Sequence, residues 1–167
     1  HKSTILRLAN SLAIYGFLRR DEGGVYRLGP SLWRLGSLYR RDFDSGDLIR
    51  PELRNLVAAT GETATFYVRA GDERICLYRE NSPHLARYHI EEGTRFALDL
   101  GAAGRVLRLL SDGRKPRPGD AMTARGTCVS VGERNPYIAS VASPVYSAAG
   151  ELRGAIALSG LIERFKD

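Results

Sequence analysis

The sequence predicts an α+β protein in which a small basic piece of helix and hairpin precedes an antiparallel sheet backed by helices. Three observations carry that expectation. Hydrophobic spacing switches along the chain between the period of a helix and the alternation of a strand. Glycines and prolines punctuate the switches. The excess positive charge is confined to one end. Residues 1 to 41 hold eight basic side chains (Lys2, Arg7, Arg19, Arg20, Arg27, Arg34, Arg40 and Arg41) against Asp21 and Glu22, a net of +6 in a chain with 25 basic and 19 acidic residues. The remainder has 17 of each sign and is electrically balanced. A basic module attached to a neutral one suits a polyanion binder with a separate regulatory or catalytic half.

Each element follows from local pattern. In "HKSTILRLANSLAIYG", Ile5, Leu8, Ala9 and Leu12 recur at i, i+3, i+4 and i+7, one face of a helix. Gly16 stands where that helix would stop, because glycine takes a left-handed conformation without steric cost. "FLRR" and "VYRL" flank "DEGG", a hairpin pattern. "GPSLWRLGSLYRR" then places Leu32, Leu35 and Leu38 at helical spacing behind Pro30, a first-turn residue. "DFDSGD" breaks this connecting helix, and another is expected from about Leu48 to Thr60, stopped by Gly61.

The period then becomes two. "TATFYVRAGDERICLYR" alternates Ala64, Phe66 and Val68 with Ile75 and Leu77 across "AGDE", a second hairpin. "HLARYHIEEG" is expected to form a strand, and "GAAGRVLRLL" a helix with glycine and alanine at its N-terminus. "CVSV", "IASVASPVYS" and "LRGAIALSG" are three more strands, the last two joined by a tight turn at "AAGE". The stretch "SDGRKPRPGD", rich in Pro, Gly and charge, is a loop or linker.

Several chemistries find no support. The chain lacks the phosphate-binding, dinucleotide-binding, nucleophile-elbow and zincin motifs. His1, His84 and His89 are too scattered for a metal site, and Ser130, Ser140 and Ser159 have no histidine base beside them, so no catalytic residue, metal or cofactor is assigned. Cys76 and Cys128 are isolated and are expected to be buried thiols. No apolar run approaches the roughly 20 residues needed to span a bilayer, and no signal peptide is evident, which makes the cytoplasm the expected location.

Three segments carry a family resemblance: "HKSTILRLANSLAIYGFLRRDEGGVYRLGPSLWRLG", "FALDLGAAGRVL", and "RGTCVSVGERNPYIASVASPVYSAAGELRGAIALSG". The last, with its ordered G-E-R-N-P, A-S-V-A-S-P-V and I-A-L-S-G runs, is the most specific. The opening stretch resembles a winged helix-turn-helix entered at its recognition helix, and the chain as a whole resembles the IclR family of bacterial transcriptional regulators. The resemblance implies a partial winged helix-turn-helix DNA-binding domain at 1–29, a linker helix at 30–41, and a GAF-like effector-binding domain with an antiparallel sheet at 42–167. It places Lys2, Ser3, Thr4 and Arg7 on the recognition helix, and Arg19, Arg20 and Arg27 on the wing, against double-stranded operator DNA. It lines a pocket for a small organic acid with Ala102, Ala103, Ser130, Ile138, Ser140, Ala157 and Ser159, with Leu85 and Tyr88 as weaker matches. The N-terminus of the "GAAG" helix and the serine hydroxyls suit a carboxylate.

The resemblance further implies a homodimer or homotetramer that regulates transcription, with repression expected and activation left open; the absence of a long apolar run argues against membrane association. The family's two helices ahead of the recognition helix have no counterpart ahead of His1, and "SDGRKPRPGDAMT" stands where the family carries a longer, partly helical stretch. From the residues alone, two other classes stay open: an enzyme acting on small carboxylates, and a ligand-sensing module acting on a protein partner.

Overall fold

The structure is a computed structural model that describes residues 1–42, 46–111, 113 and 121–165. Its chain divides into two compact units, His1–Ser45 and Gly46–Asp167.

In the first unit, α1 (Lys2–Ile14) ends at Gly16, whose φ of +72° lets the Gly16 and Phe17 N–H groups reach back to the Ala13 and Leu12 carbonyls. The chain then forms a hairpin of β1 (Leu18–Arg20) and β2 (Tyr26–Leu28), turned at Gly24 with φ +80°, before α2 (Pro30–Asp42) begins at its proline. The Tyr26 hydroxyl donates to Asn10 Oδ1 at 2.6 Å and Ser31 Oγ donates to the Tyr15 carbonyl at 2.7 Å, so polar bonds tie helix, hairpin and second helix together. A side chain on Gly29 would meet the Gly16 carbonyl oxygen at 2.1 Å, so two backbone segments touch here. Gly29 is the one buried residue among the described residues of this unit.

The second unit is built on a six-stranded antiparallel sheet of order β5-β4-β3-β8-β7-β6. Its strands are β3 (Thr63–Ala70), β4 (Glu73–Glu80), β5 (Arg95–Ala97), β6 (Cys128–Val131), β7 (Ile138–Tyr146) and β8 (Leu152–Leu161). Helix α3 (Gly46–Thr60) lies on β3 and β4, while α4 (Ala102–Leu110) packs on β6, β7 and β8. β3 is buried from Thr63 to Val68 without a break, a two-sided pattern that arises because helices cover both faces of the central strands. The α4 face is made of small residues, Ala142, Ala155 and Ala157 with Cys128, which let Val106, Leu107 and Leu110 approach closely. Phe66, on the strand shared by both helices, is fully buried and stacks with Tyr78 at 6.1 Å.

One expected strand is absent. The segment "HLARYHIEEG" forms no ladder, and the short β5 follows it instead, pairing Arg95 with Ile75 and Ala97 with Glu73. The reason is that side chains take the segment's carbonyls. Thr63 Oγ1 donates to Tyr88 O at 3.0 Å, Arg79 Nη1 donates to Ile90 O, and Arg164 donates to Ala86 O at 3.3 Å. An ion pair between the buried Glu62 and the exposed Arg164 also anchors the closing 3-10 turn, Ile162–Phe165, to the start of β3.

Candidate functional site

A cleft opens where the N-terminus of α4 faces the sheet, enclosing about 420 Å³ of non-atom space with the solvent at its mouth included. Its floor is a row set by register. Ser130 pairs with Ser140, and Ser140 with Ser159, so three hydroxyl residues on adjacent strands stand side by side, continued by Thr63 on β3. No hydrogen bond is formed by the Ser130, Ser140 or Ser159 hydroxyls with the described residues, although Ser130 and Ser159 are buried. Ile138 and Ala157 supply apolar wall, and Ala102 and Ala103 bring the first turn of α4 to the rim. In that turn a helix offers its N–H groups no internal acceptor.

Ala102, Ala103, Ser130, Ile138, Ser140, Ala157 and Ser159 therefore line one cavity. Leu85 lies fully exposed outside it, and Tyr88 is outside the lining, half-buried beneath Arg134. The cavity also holds residues that pattern reasoning missed: Tyr67, Arg74, Gly101, Arg134 and Asn135.

Arg74 is the least expected of these. It sits on β4, 3 % exposed, and passes beneath α4, so that a side chain on Gly104 would meet its Nη1 at 2.5 Å. Nη1 donates to the carbonyls of Ala97 at 2.5 Å and Leu100 at 2.8 Å, but Nε is buried without a partner. Burial lowers its pKa from the ordinary arginine value, and the nearby Arg134 adds to the effect. Arg134 comes from the loop between β6 and β7, with its guanidinium 4.0 Å from the centre of the Phe96 ring and 5.3 Å from that of Tyr88. Arg74 lies over the same Phe96 ring at 5.2 Å.

Among the described residues, the carboxylate bonded at the helix end is Glu133, which accepts from Gly101 N–H at 3.0 Å and from Arg105 Nη2 at 2.5 Å. Its charge is thus matched by Arg105 and the helix end. Burial raises the Tyr67 phenol to about pKa 12, so it remains a proton donor at neutral pH. No group of three or more His, Cys, Asp or Glu among the described residues could hold a metal ion. The cleft presents cationic and neutral donors to anything that enters it.

The basic N-terminal unit is arranged differently. Lys2, Ser3, Thr4 and Arg7 are exposed along α1, and Arg19 faces Arg27 across the hairpin. Arg27 is committed to Asp21 at 2.8 Å, and Arg20 donates to the Gly24 carbonyl at 3.1 Å. The side chains of Arg19, Lys2 and Arg7 form no hydrogen bond or ion pair with the described residues, which leaves their charge available.

Residues 120–167 match the family described as bacterial transcriptional regulator IclR C-terminal. The HTH-type transcriptional regulator BhcR of Paracoccus denitrificans (strain Pd 1222) is 29 % identical over 190 residues, covering 99 % of this chain and 68 % of that protein. The HTH-type transcriptional repressor AllR of Escherichia coli (strain K12) is 26 % identical over 106 residues, 63 % of this chain and 39 % of that one. Among solved structures, an IclR transcriptional regulator from Silicibacter sp. TM1040 shares the fold with a TM-score of 0.77 at 23 % identity, covering 99 % of this chain and 75 % of that one. These relatives are transcriptional regulators rather than enzymes. The chain is thus similar over nearly its whole length to HTH-type transcriptional regulators, and its residues 120–167 match the IclR C-terminal family.

Proposed function

We propose that the protein is a DNA-binding regulator whose affinity for its operator is set by a small organic acid held in the cleft. In this reading residues 1–29 act as recognition helix and wing of a winged helix-turn-helix, 30–41 as a linker helix, and 42–167 as a GAF-like effector-binding domain. The observation that carries it is Arg74: a residue only 3 % exposed, with an unpartnered Nε, opening on a cavity that also holds the first turn of α4 and three serine residues. A buried cation without a counter-charge is costly unless an anion completes it. A carboxylate matches the planar donor fork of arginine and the N–H groups of a helix end.

On the DNA side, Lys2, Ser3, Thr4 and Arg7 approach base edges and phosphates in the major groove, and Arg19, Arg20 and Arg27 lie along the adjacent backbone. Two-fold association would make the operator nearly palindromic, so a homodimer or a pair of dimers is expected. The repressor named among the relatives favours repression, and a protein acting on the genome is expected in the cytoplasm. The acid works by binding one arrangement of the regulator better than another, a coupling of about 1 to 3 kcal/mol. A gel shift of the intact regulator on the DNA upstream of its own gene, with and without a panel of aliphatic and aromatic acids, tests the whole reading. An acid-dependent change in mobility is expected; a shift indifferent to every acid would contradict effector control.

A further inference from the structure

We infer that the cleft selects a short-chain dicarboxylate over the corresponding monocarboxylate, a conclusion that rests on the acid-binding reading above and sharpens it. Charge balance in the cleft favours two carboxylates over one. Three sources of positive potential converge here: Arg74, Arg134 and the N-terminus of α4. Glu133 answers the helix end through Gly101 N–H, and it is itself matched by Arg105. Arg74 and Arg134 remain. Neither forms a salt bridge with a described residue, and both pack on the single ring of Phe96, at 5.2 Å and 4.0 Å. Two like charges held on one ring repel each other.

One ligand carboxylate would satisfy one guanidinium and leave the other unmatched at the same cavity. A second carboxylate removes that imbalance, and the planar fork of each arginine suits a carboxylate. The rest of the lining indicates a carbon skeleton between the two ends. Ile138 and Ala157 give an apolar wall that inorganic phosphate would leave unfilled, while the serine row from Ser130 to Ser159 offers hydroxyls to substituents on the chain.

The test is calorimetric titration of the intact chain with malonate against propionate, succinate against butyrate, and inorganic phosphate. The same series is run on Arg134→Gln and Arg134→Lys. Arg134 lies in an exposed loop, and circular dichroism of each variant establishes that it is folded. At least one dicarboxylate is expected to bind tenfold or more tightly than its monocarboxylate partner. Arg134→Gln should bring that ratio close to one while changing monocarboxylate affinity only a few-fold, and Arg134→Lys should retain most of the preference. Equal affinity for both members of each pair would overturn the dicarboxylate assignment and leave the acid-binding reading standing. Phosphate binding as tightly as the better dicarboxylate would overturn the carbon-skeleton part of the inference. Absence of saturable binding by all four acids would overturn both the inference and the reading beneath it.

Discussion

The two units of this chain hold themselves together in opposite ways. Gly46–Asp167 encloses a core on both faces of its sheet, with Phe66, Leu53, Val106, Leu107 and Leu110 at 2 % exposure or less. In His1–Ser45 the helix α1 has no buried residue; Ile5, Leu8 and Ile14 are 59 to 80 % exposed, and side-chain hydrogen bonds and one glycine–carbonyl contact supply the order. The contrast teaches that the neutral unit is shaped by what it contains. The basic unit presents charge and apolar surface outward, and its function depends on what it meets.

That contrast can be broken by mutation. The largest effect is expected from Phe66→Ala, which empties the most enclosed site and should cost about 3–5 kcal/mol of the second unit's stability. Trp33, the single tryptophan, lies in α2 of the first unit and reports on that unit alone. Chemical denaturation should therefore move the sheet's circular dichroism transition while leaving the Trp33 fluorescence transition in place. A next, smaller effect is expected of Gly29→Ala. The added methyl would lie 2.1 Å from the Gly16 carbonyl oxygen, and relieving it should cost about 1–3 kcal/mol, seen now in Trp33 fluorescence and not in the sheet. Equal movement of both signals in either variant would show that the units are one cooperative body.

pH sharpens the same comparison. Burial raises Tyr67 from 10.0 and Cys76 from 9.0, each to about 12, so both are protonated in the folded second unit at pH values where an unfolded chain has released those protons. The unfolded state then binds fewer protons, and the sheet should lose stability as pH rises from about 9 to 12. Asp21 shifts the other way. Its bond to Arg27 lowers its pKa below 3.8, so its contribution to the first unit is present above that value and lost as pH falls through the lowered one. Denaturation curves across pH 2 to 12 should show the alkaline loss in circular dichroism and the acid loss in Trp33 fluorescence. The smallest effect concerns DNA. Arg19→Ala should lower the salt slope of operator binding by about 1, and Arg27→Ala by less, because Arg27 already serves Asp21.

Much of this was legible in the sequence. Helical spacing ending at Gly16 and Gly61, and turn signals at "DEGG", "AGDE" and "AAGE", locate α1, α3 and three hairpins close to where they stand. The segment around Tyr88 was misread because its apolar residues alternate imperfectly while its carbonyls are claimed by side chains from Thr63, Arg79 and Arg164, a tertiary fact that no local pattern encodes. Of the nine residues assigned to the pocket from the resemblance, seven line one cavity while Leu85 and Tyr88 stand outside it, and the cavity's two arginines went unassigned. Arg74 looks like a solvent-facing residue in "ERICLYRE" if the strand is taken to have one wet face. The unbroken apolar run from Ile75 to Tyr78 was the available signal that both faces are covered, which forces Arg74 inside. Arg134 stood in the quoted "GERNP" run but on a loop, where spacing says nothing of direction.

The most direct test of the account follows the Arg74 Nε–H and the Ala102 and Ala103 amides by NMR while malonate is titrated into the intact chain. Saturable shifts at all three, with the affinity found by calorimetry and with the α1 amides unchanged, are the predicted result. Shifts confined to the basic residues of the first unit, or growing linearly without saturation, would contradict the claim that the cleft is where the anion is held.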